Sequence, residues 1–218
     1  MGFRSAEHSK YEYARTTAAT LAYFLATQRD AVGLATFEDK VTDYLPPRHR
    51  PGQMRRMTAM LEREPTGRVT DFAGPLEELA TVIKKRGMIV LISDLLGSIE
   101  TLQSRFGYLR SRGHDVLVLR VLDLAEVNFT FDAPAMFVDQ ESGKKLYIDP
   151  KSARAAYLDK FNAHAERLAS ACADLGVEYV SMTTDRPLEL VLFDLVRARV
   201  RRHSSHGRRS APSRGGRT

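Results

Sequence analysis

Met88-Ile-Val-Leu-Ile-Ser-Asp94 decides how the rest of the chain is read. A short, almost uninterrupted apolar run ending in an acid has the composition of a strand buried on both faces, and such strands belong to parallel sheets covered by helices. In an open α/β sheet the ligand crevice lies just beyond the carboxyl ends of the strands, which is where Asp94 falls. Gly87 and Gly97 bracket the run and mark the chain entering and leaving it.

Downstream, Ser98 caps a helix that carries Ile99, Leu102, Phe106 and Leu109 and is closed by Gly113, and Asp115 to Val121 reads as a second buried strand. Upstream, a helix over 72–86 with Leu76, Leu79, Ala80 and Ile83 inward feeds the central strand. Ser9 and Glu12 stand at capping-box spacing and open a helix over 9–28. Strands at Ala31 to Phe37 and Val41 to Leu45 form a hairpin turned at Glu38 to Lys40 and ended by Pro46-Pro47. A helix from Gln53 to Glu64 follows, with Met54, Met57, Met60 and Leu61 as its core face. Residues 127–149 break the alternation with three short runs, at Val127 to Phe131, Ala135 to Val138 and Lys145 to Ile148, and predict a small β insertion at the rim of the sheet. Asp149-Pro150 opens the longest helix, to Leu175, Val177 to Met182 is the last strand, and a helix starts at Pro187. The fold class is α/β, a mostly parallel sheet flanked by helices with right-handed crossovers.

A chain that is 43% hydrophobic and 28% charged can bury a core. None of its apolar runs approaches the roughly 20 residues of a membrane-spanning helix. The single cysteine, Cys172, lies in an apolar stripe as an inert core residue and allows no intrachain disulfide. With no apolar signal segment in Met1-Gly-Phe-Arg-Ser5, the expected setting is cytoplasmic. The net charge of +6 is local: residues 201–218 hold six of the 33 basic residues and no acid, which leaves 27 against 27 acidic in the body. The expected organisation is one domain over 1–200 and a disordered basic tail over 201–218. Nucleic-acid binding through that tail would be strongly salt-dependent, and a neutral body argues against it.

Motifs for dinucleotide, nucleoside triphosphate, serine hydrolase and zinc peptidase chemistry are absent. His8, His49, His114 and His164 read as surface residues. What remains is oxygen chemistry at one edge of the sheet: Asp94 with Ser93 beside it, and Thr70-Asp71 at the amino end of the feeding helix. Such oxygens suit a hard divalent cation such as Mg2+. From spacing alone, caps of the neighbouring helices explain them better.

Lys10-Tyr-Glu-Tyr-Ala14, Gln28 to Leu34 with Phe37, Tyr44-Leu-Pro-Pro47, Thr70-Asp71, Val90 to Leu95, Arg112 to Val116 and Thr184 to Leu188 together resemble the bacterial family called domain of unknown function 58. That family has a von Willebrand factor A-like fold, and the resemblance covers nearly all of 1–200. It implies a metal-ion-dependent adhesion site of three parts, of which Thr70 matches the second and Asp94 the third, with Asp71 and Ser93 as supporting residues. The first part, an Asp-x-Ser-x-Ser loop, would precede Met1. The chain is therefore expected to lack the first central strand of the order 3-2-1-4-5-6 and to hold an incomplete Mg2+ site. The resemblance also implies a MoxR-type AAA ATPase as partner, in the assembly or maturation of other proteins. The expected function is a non-enzymatic interaction module, with Phe129, Phe131 and Tyr147 of the insertion as partner-binding residues. Two alternatives are nucleic-acid binding through the arginine-rich tail and a magnesium-dependent hydrolase using Asp94, for which the sequence shows neither a nucleophile with a partnered base nor a phosphate loop.

Overall fold

Ser9 opens the first helix, α1 (Lys10–Thr27), by the reciprocal contacts its spacing predicts: its hydroxyl accepts from Glu12 N, and the Glu12 carboxylate accepts from Ser9 N. The computed structural model describes residues 1–3, 5, 8–64, 73–131, 133–138, 145–193 and 197. The chain divides into two compact units, Met1–Asp185 and Arg186–Thr218, ahead of the boundary at 200 read from the arginine run. In the second unit residues 188–193 are helical, and 201–218 lie outside the described residues.

After α1 comes an antiparallel hairpin, β1 (Val32–Phe37) and β2 (Val41–Arg48). It continues through Pro46 and Pro47, where the sequence predicts its end. A register shift between Val32 and Leu34 accommodates those donor-less residues, because Pro is tolerated in a sheet at edges and bulges. Gly33 sits at that shift, and a Cβ there would meet Leu45 O and Pro47 N at 2.7 Å. Gly33→Ala therefore costs about 1–3 kcal/mol in urea unfolding. Gly87→Ala, where a Cβ meets nothing within 4 Å, serves as the control; equal midpoints for the two variants would contradict the packing argument. The helix α2 (Gln53–Leu61) then lays Met57 on Leu45 and Ala22, with Met54 and Met60 beside it, so the methionine stripe is core.

Next, α3 (Ala73–Val82) stops short of the predicted 86. Beyond it Lys84, Lys85 and Arg86 are exposed, and no apolar face holds another turn on the core. It leads into β3 (Met88–Ser93), then α4 (Ile99–Ser111), capped by Ser98. Gly113 is left-handed at φ 83° and its N–H and that of His114 bond back to Arg110 O and Leu109 O, which closes α4 as expected. The same turn drives His114 inward to 2% exposure, against the reading of it as a surface residue. The strand β4 (Asp115–Leu122) follows.

Residues predicted as strand at 127–131 instead carry α5 (Leu124–Asn128). Asp123 accepts from Ala125 N while the Glu126 carboxylate accepts from Asp123 N, and this capping box outweighs the alternation downstream of it. The rest of the insertion is a hairpin of β5 (Ala135–Val138) and β6 (Lys145–Ile148). The helix α6 (Pro150–Asp174) starts on Asp149, and β7 (Glu178–Thr183) ends the first unit's elements.

The strands β3, β4 and β7 form one parallel sheet in that order, with Ser93 beside Arg120 and Arg120 beside Ser181. They take the places of strands 4, 5 and 6 of the expected order, while β1–β2 is a separate sheet. No described strand pairs with the outer edge of β3, so Ile89, Val90 and Ile92 are half-buried rather than covered on both faces as predicted. The central position belongs to β4, buried from Val116 to Leu122. Its Val118 packs with Phe106 of α4, Ala80 of α3 and Leu168 and Cys172 of α6. Burial pushes the Cys172 thiol up to about 11, which makes it unreactive at neutral pH. Among the described residues no helix is long and apolar enough to cross a membrane.

Candidate functional site

The carboxyl edge of the sheet begins where β3 ends. Ser93 Oγ accepts from Leu95 N at 3.3 Å, and Leu95 takes a left-handed backbone at φ 53°. For a residue with a branched side chain this costs on the order of 1 kcal/mol or more and persists only where neighbours hold it. Two neighbours do: Arg120 Nε donates to Asp94 O at 3.1 Å, and His164 Nε2 lies 3.0 Å from Leu95 O. The turn buries Leu95 completely and leaves Leu96 61% exposed.

The side chain of Asp94 is 8% exposed as part of its residue and faces cations. Its Oδ2 accepts from Lys10 Nζ at 3.1 Å and from the Met1 nitrogen at 3.2 Å. Lys10, at 2% exposure, also donates to Glu126 Oε1 at 2.8 Å, so the first residue of α1 ties the end of β3 to the first turn of α5. Burial raises the Asp94 pKa, but the Lys10 ammonium and the Met1 nitrogen outweigh it and hold the carboxyl below its ordinary 3.8. Asp123, fully buried, caps α5 and accepts from Ser5 N at 2.9 Å and from the Ser5 hydroxyl.

Arg120 points from β4 into the interior with no exposure, and its guanidinium lies 5.2 Å from the Phe161 ring centre. Among the described residues its Nη1 and Nη2 have no hydrogen-bond partner. From Phe161 a row of rings continues through Tyr157, Phe129 and Phe131 to Phe3, with centre spacings of 5.8, 4.5, 5.2 and 6.3 Å. Burial, with Glu126 adding to it and Arg120 opposing it, pushes the Tyr157 phenol up to about 12.

Of the residues singled out in the sequence, Asp94 lies in this cluster and Ser93 supports the backbone beside it, whereas Thr70 and Asp71 fall outside the described residues. Phe129 is not a surface aromatic: its left-handed backbone at φ 47° ends α5 and turns the ring onto Tyr157, leaving it 4% exposed. Phe131 is half-buried in the same row. Tyr147 stands on β6 at 66% exposure, opposite the exposed Met136. Sequence reasoning missed Lys10, Arg120, Glu126 and the half-buried His164. An arginine inside the apolar run of β4 and the Asp123–Glu126 spacing were the available signals.

The described residues, as they stand, do not fit a resident divalent cation. Among them no three His, Cys, Asp or Glu side chains gather to hold one. Lys10 already bridges the carboxylates of Asp94 and Glu126, and the Met1 nitrogen holds Asp94 Oδ2 as well. Two open depressions among the described residues, one around Asp43, Arg56 and Arg63 and one around Asp30, Arg48 and Gln53, share no residue with this cluster.

The chain is similar to an uncharacterized protein of Mycobacterium avium, 30% identical over 155 residues that cover 71% of this chain and 90% of that protein. An uncharacterized protein of Mycobacterium tuberculosis is 28% identical over 145 residues, 66% of this chain, and the match spans only 44% of its length. Among solved structures, the conserved hypothetical protein BatB from Bacteroides thetaiotaomicron superposes with a TM-score of 0.52 at 14% identity, covering 90% of this chain and 92% of that one. That likeness is one of fold, a von Willebrand A-like α/β architecture. The family described as protein of unknown function DUF58 matches residues 1–167.

Proposed function

The chain belongs to the DUF58 family, and from that membership and the build of the Asp94–Leu96 turn we propose that it is a non-enzymatic interaction module that docks a protein at the carboxyl edge of its sheet. The observation that carries this is Leu96. A strained turn, pinned from below by Arg120 and His164, holds a large apolar side chain out in solvent beside a buried ion cluster. Strain of this kind is retained where it serves a function, and an apolar residue on a rigid base is a suitable anchor for a partner. A MoxR-type AAA ATPase is the partner that the family resemblance implies. Asp94 suits this role better than hydrolysis, because its carboxylate is committed to Lys10 and is not presented to a substrate.

Binding of a purified MoxR-type ATPase to the immobilised chain, compared between wild type and Leu96→Asp, tests the reading. The variant is expected to bind at least about ten-fold more weakly, the loss of one anchor residue. Its melting temperature should match wild type, since Leu96 makes little contact with the core. Equal affinities would sink the docking site; absence of any wild-type binding would sink the choice of partner.

A further inference from the structure

Lys10 lies at the heart of the Asp94 cluster yet is a residue for which neither docking nor catalysis has a use. Its ammonium is buried to 2% exposure and sits 3.1 Å from Asp94 Oδ2 and 2.8 Å from Glu126 Oε1, bridging a carboxylate past the end of β3 and one in the first turn of α5 much as an ion would. Arg120, with no exposure, brings a second permanent cation against the backbone of the same residue, Asp94. Asp94 Oδ2 thus already meets two cationic nitrogens, Lys10 Nζ at 3.1 Å and the Met1 nitrogen at 3.2 Å, with the Arg120 guanidinium on the backbone carbonyl beside them. A divalent cation entering at Asp94 Oδ2 would stand within a few ångströms of a buried ammonium, where like charges repel with little screening.

We propose that Lys10 fills, with its ammonium group, the place that a divalent cation would take at Asp94, so that the carboxyl edge is assembled by an internal counter-ion and needs no metal. The consequence is a metal-indifferent edge whose fixed cation joins α1, β3 and α5. It concerns the isolated chain, so its outcome is independent of which partner docks at Leu96.

Scanning calorimetry of the full chain in EDTA, in millimolar magnesium and in millimolar manganese provides the test. Wild type is expected to melt at one temperature in all three. Lys10→Gln, which removes the charge, should melt lower and regain several degrees in either metal, the increment expected when a ligand binds the folded state alone. Asp94→Asn placed in that background should abolish the gain, and Lys10→Arg, which keeps a cation, should be as indifferent as wild type. A metal-dependent rise in wild type that Asp94→Asn removes would overturn the proposal. So would a folded Lys10→Gln that ignores both metals, since Lys10 would then be an ordinary ion pair. Should Lys10→Gln fail to fold, manganese paramagnetic resonance on wild type decides: bound manganese that Asp94→Asn releases refutes the proposal, and none supports it.

Discussion

Lys10→Met is expected to lose about 3–5 kcal/mol of unfolding free energy in a urea titration, the range for removing one partner of a buried ion pair. The loss is not that of one attractive contact. Methionine fills the space, but it leaves the half-buried Glu126 without the ammonium that bridged the pair, and the buried Asp94 with the Met1 nitrogen alone. Adding Asp94→Leu removes one of the stranded charges, so the double variant should be more stable than the sum of the two single losses implies. A single-variant loss below about 1 kcal/mol would show the pair to be no more than a surface bridge.

The acid limb gives an independent reading. Asp94 has its folded pKa depressed, so its contribution is fully present above the carboxyl's unfolded value and is lost as pH falls through the lower folded value. Wild type should therefore lose this stabilisation below the ordinary 3.8. Without Lys10, burial raises the Asp94 pKa against the Met1 nitrogen alone, and protonation in acid relieves the variant. The stability gap between the two proteins should narrow in acid, and a gap that is constant with pH would exclude the linkage.

Phe129→Ala should cost about 3–5 kcal/mol, as truncation of a buried aromatic does. Its ring lies 4.5 Å from Tyr157 and 5.2 Å from Phe131 and is 4% exposed, so the cavity is lined on two sides by rings held by other contacts. Tyr147→Ala, at 66% exposure, should stay within about 0.5 kcal/mol of wild type. The comparison separates the two aromatics that the sequence places on one recognition surface. If Phe129→Ala unfolded at the wild-type midpoint, the ring would be a surface group after all.

What could be read in advance follows from how local each signal is. Ser9 with Glu12, Ser98, Gly113 and the apolar runs of β3 and β4 act over a few residues, and each produced the element expected of it. The capping box at Asp123 and Glu126 is just as local and was overlooked because the alternating run beyond it matched a strand. The Asp94 cluster was only half legible. The position of Asp94 follows from the strand before it, but its partner is 84 residues away, and a lysine in the first turn of a helix ordinarily faces water. Arg120 was hidden for the opposite reason: within an apolar run its inward direction was readable, but what it reaches, Asp94 O and the Phe161 ring, depends on how β3 and α6 meet across the sheet.

Because β4 is flanked by β3 and β7, its peptide groups are locked from both sides, and no fraying of an end or peeling of an edge can free them. Proton–deuterium exchange at Val118 and Leu119 should consequently proceed only when the first unit unfolds as a whole. Those two amides would then act as a reporter of global stability within a single native sample. The β5–β6 hairpin, with one described partner per strand and with Lys145, Leu146 and Tyr147 of β6 exposed, should exchange far sooner through local opening. The separation in exchange rate between these places measures how much of the molecule behaves as one cooperative body.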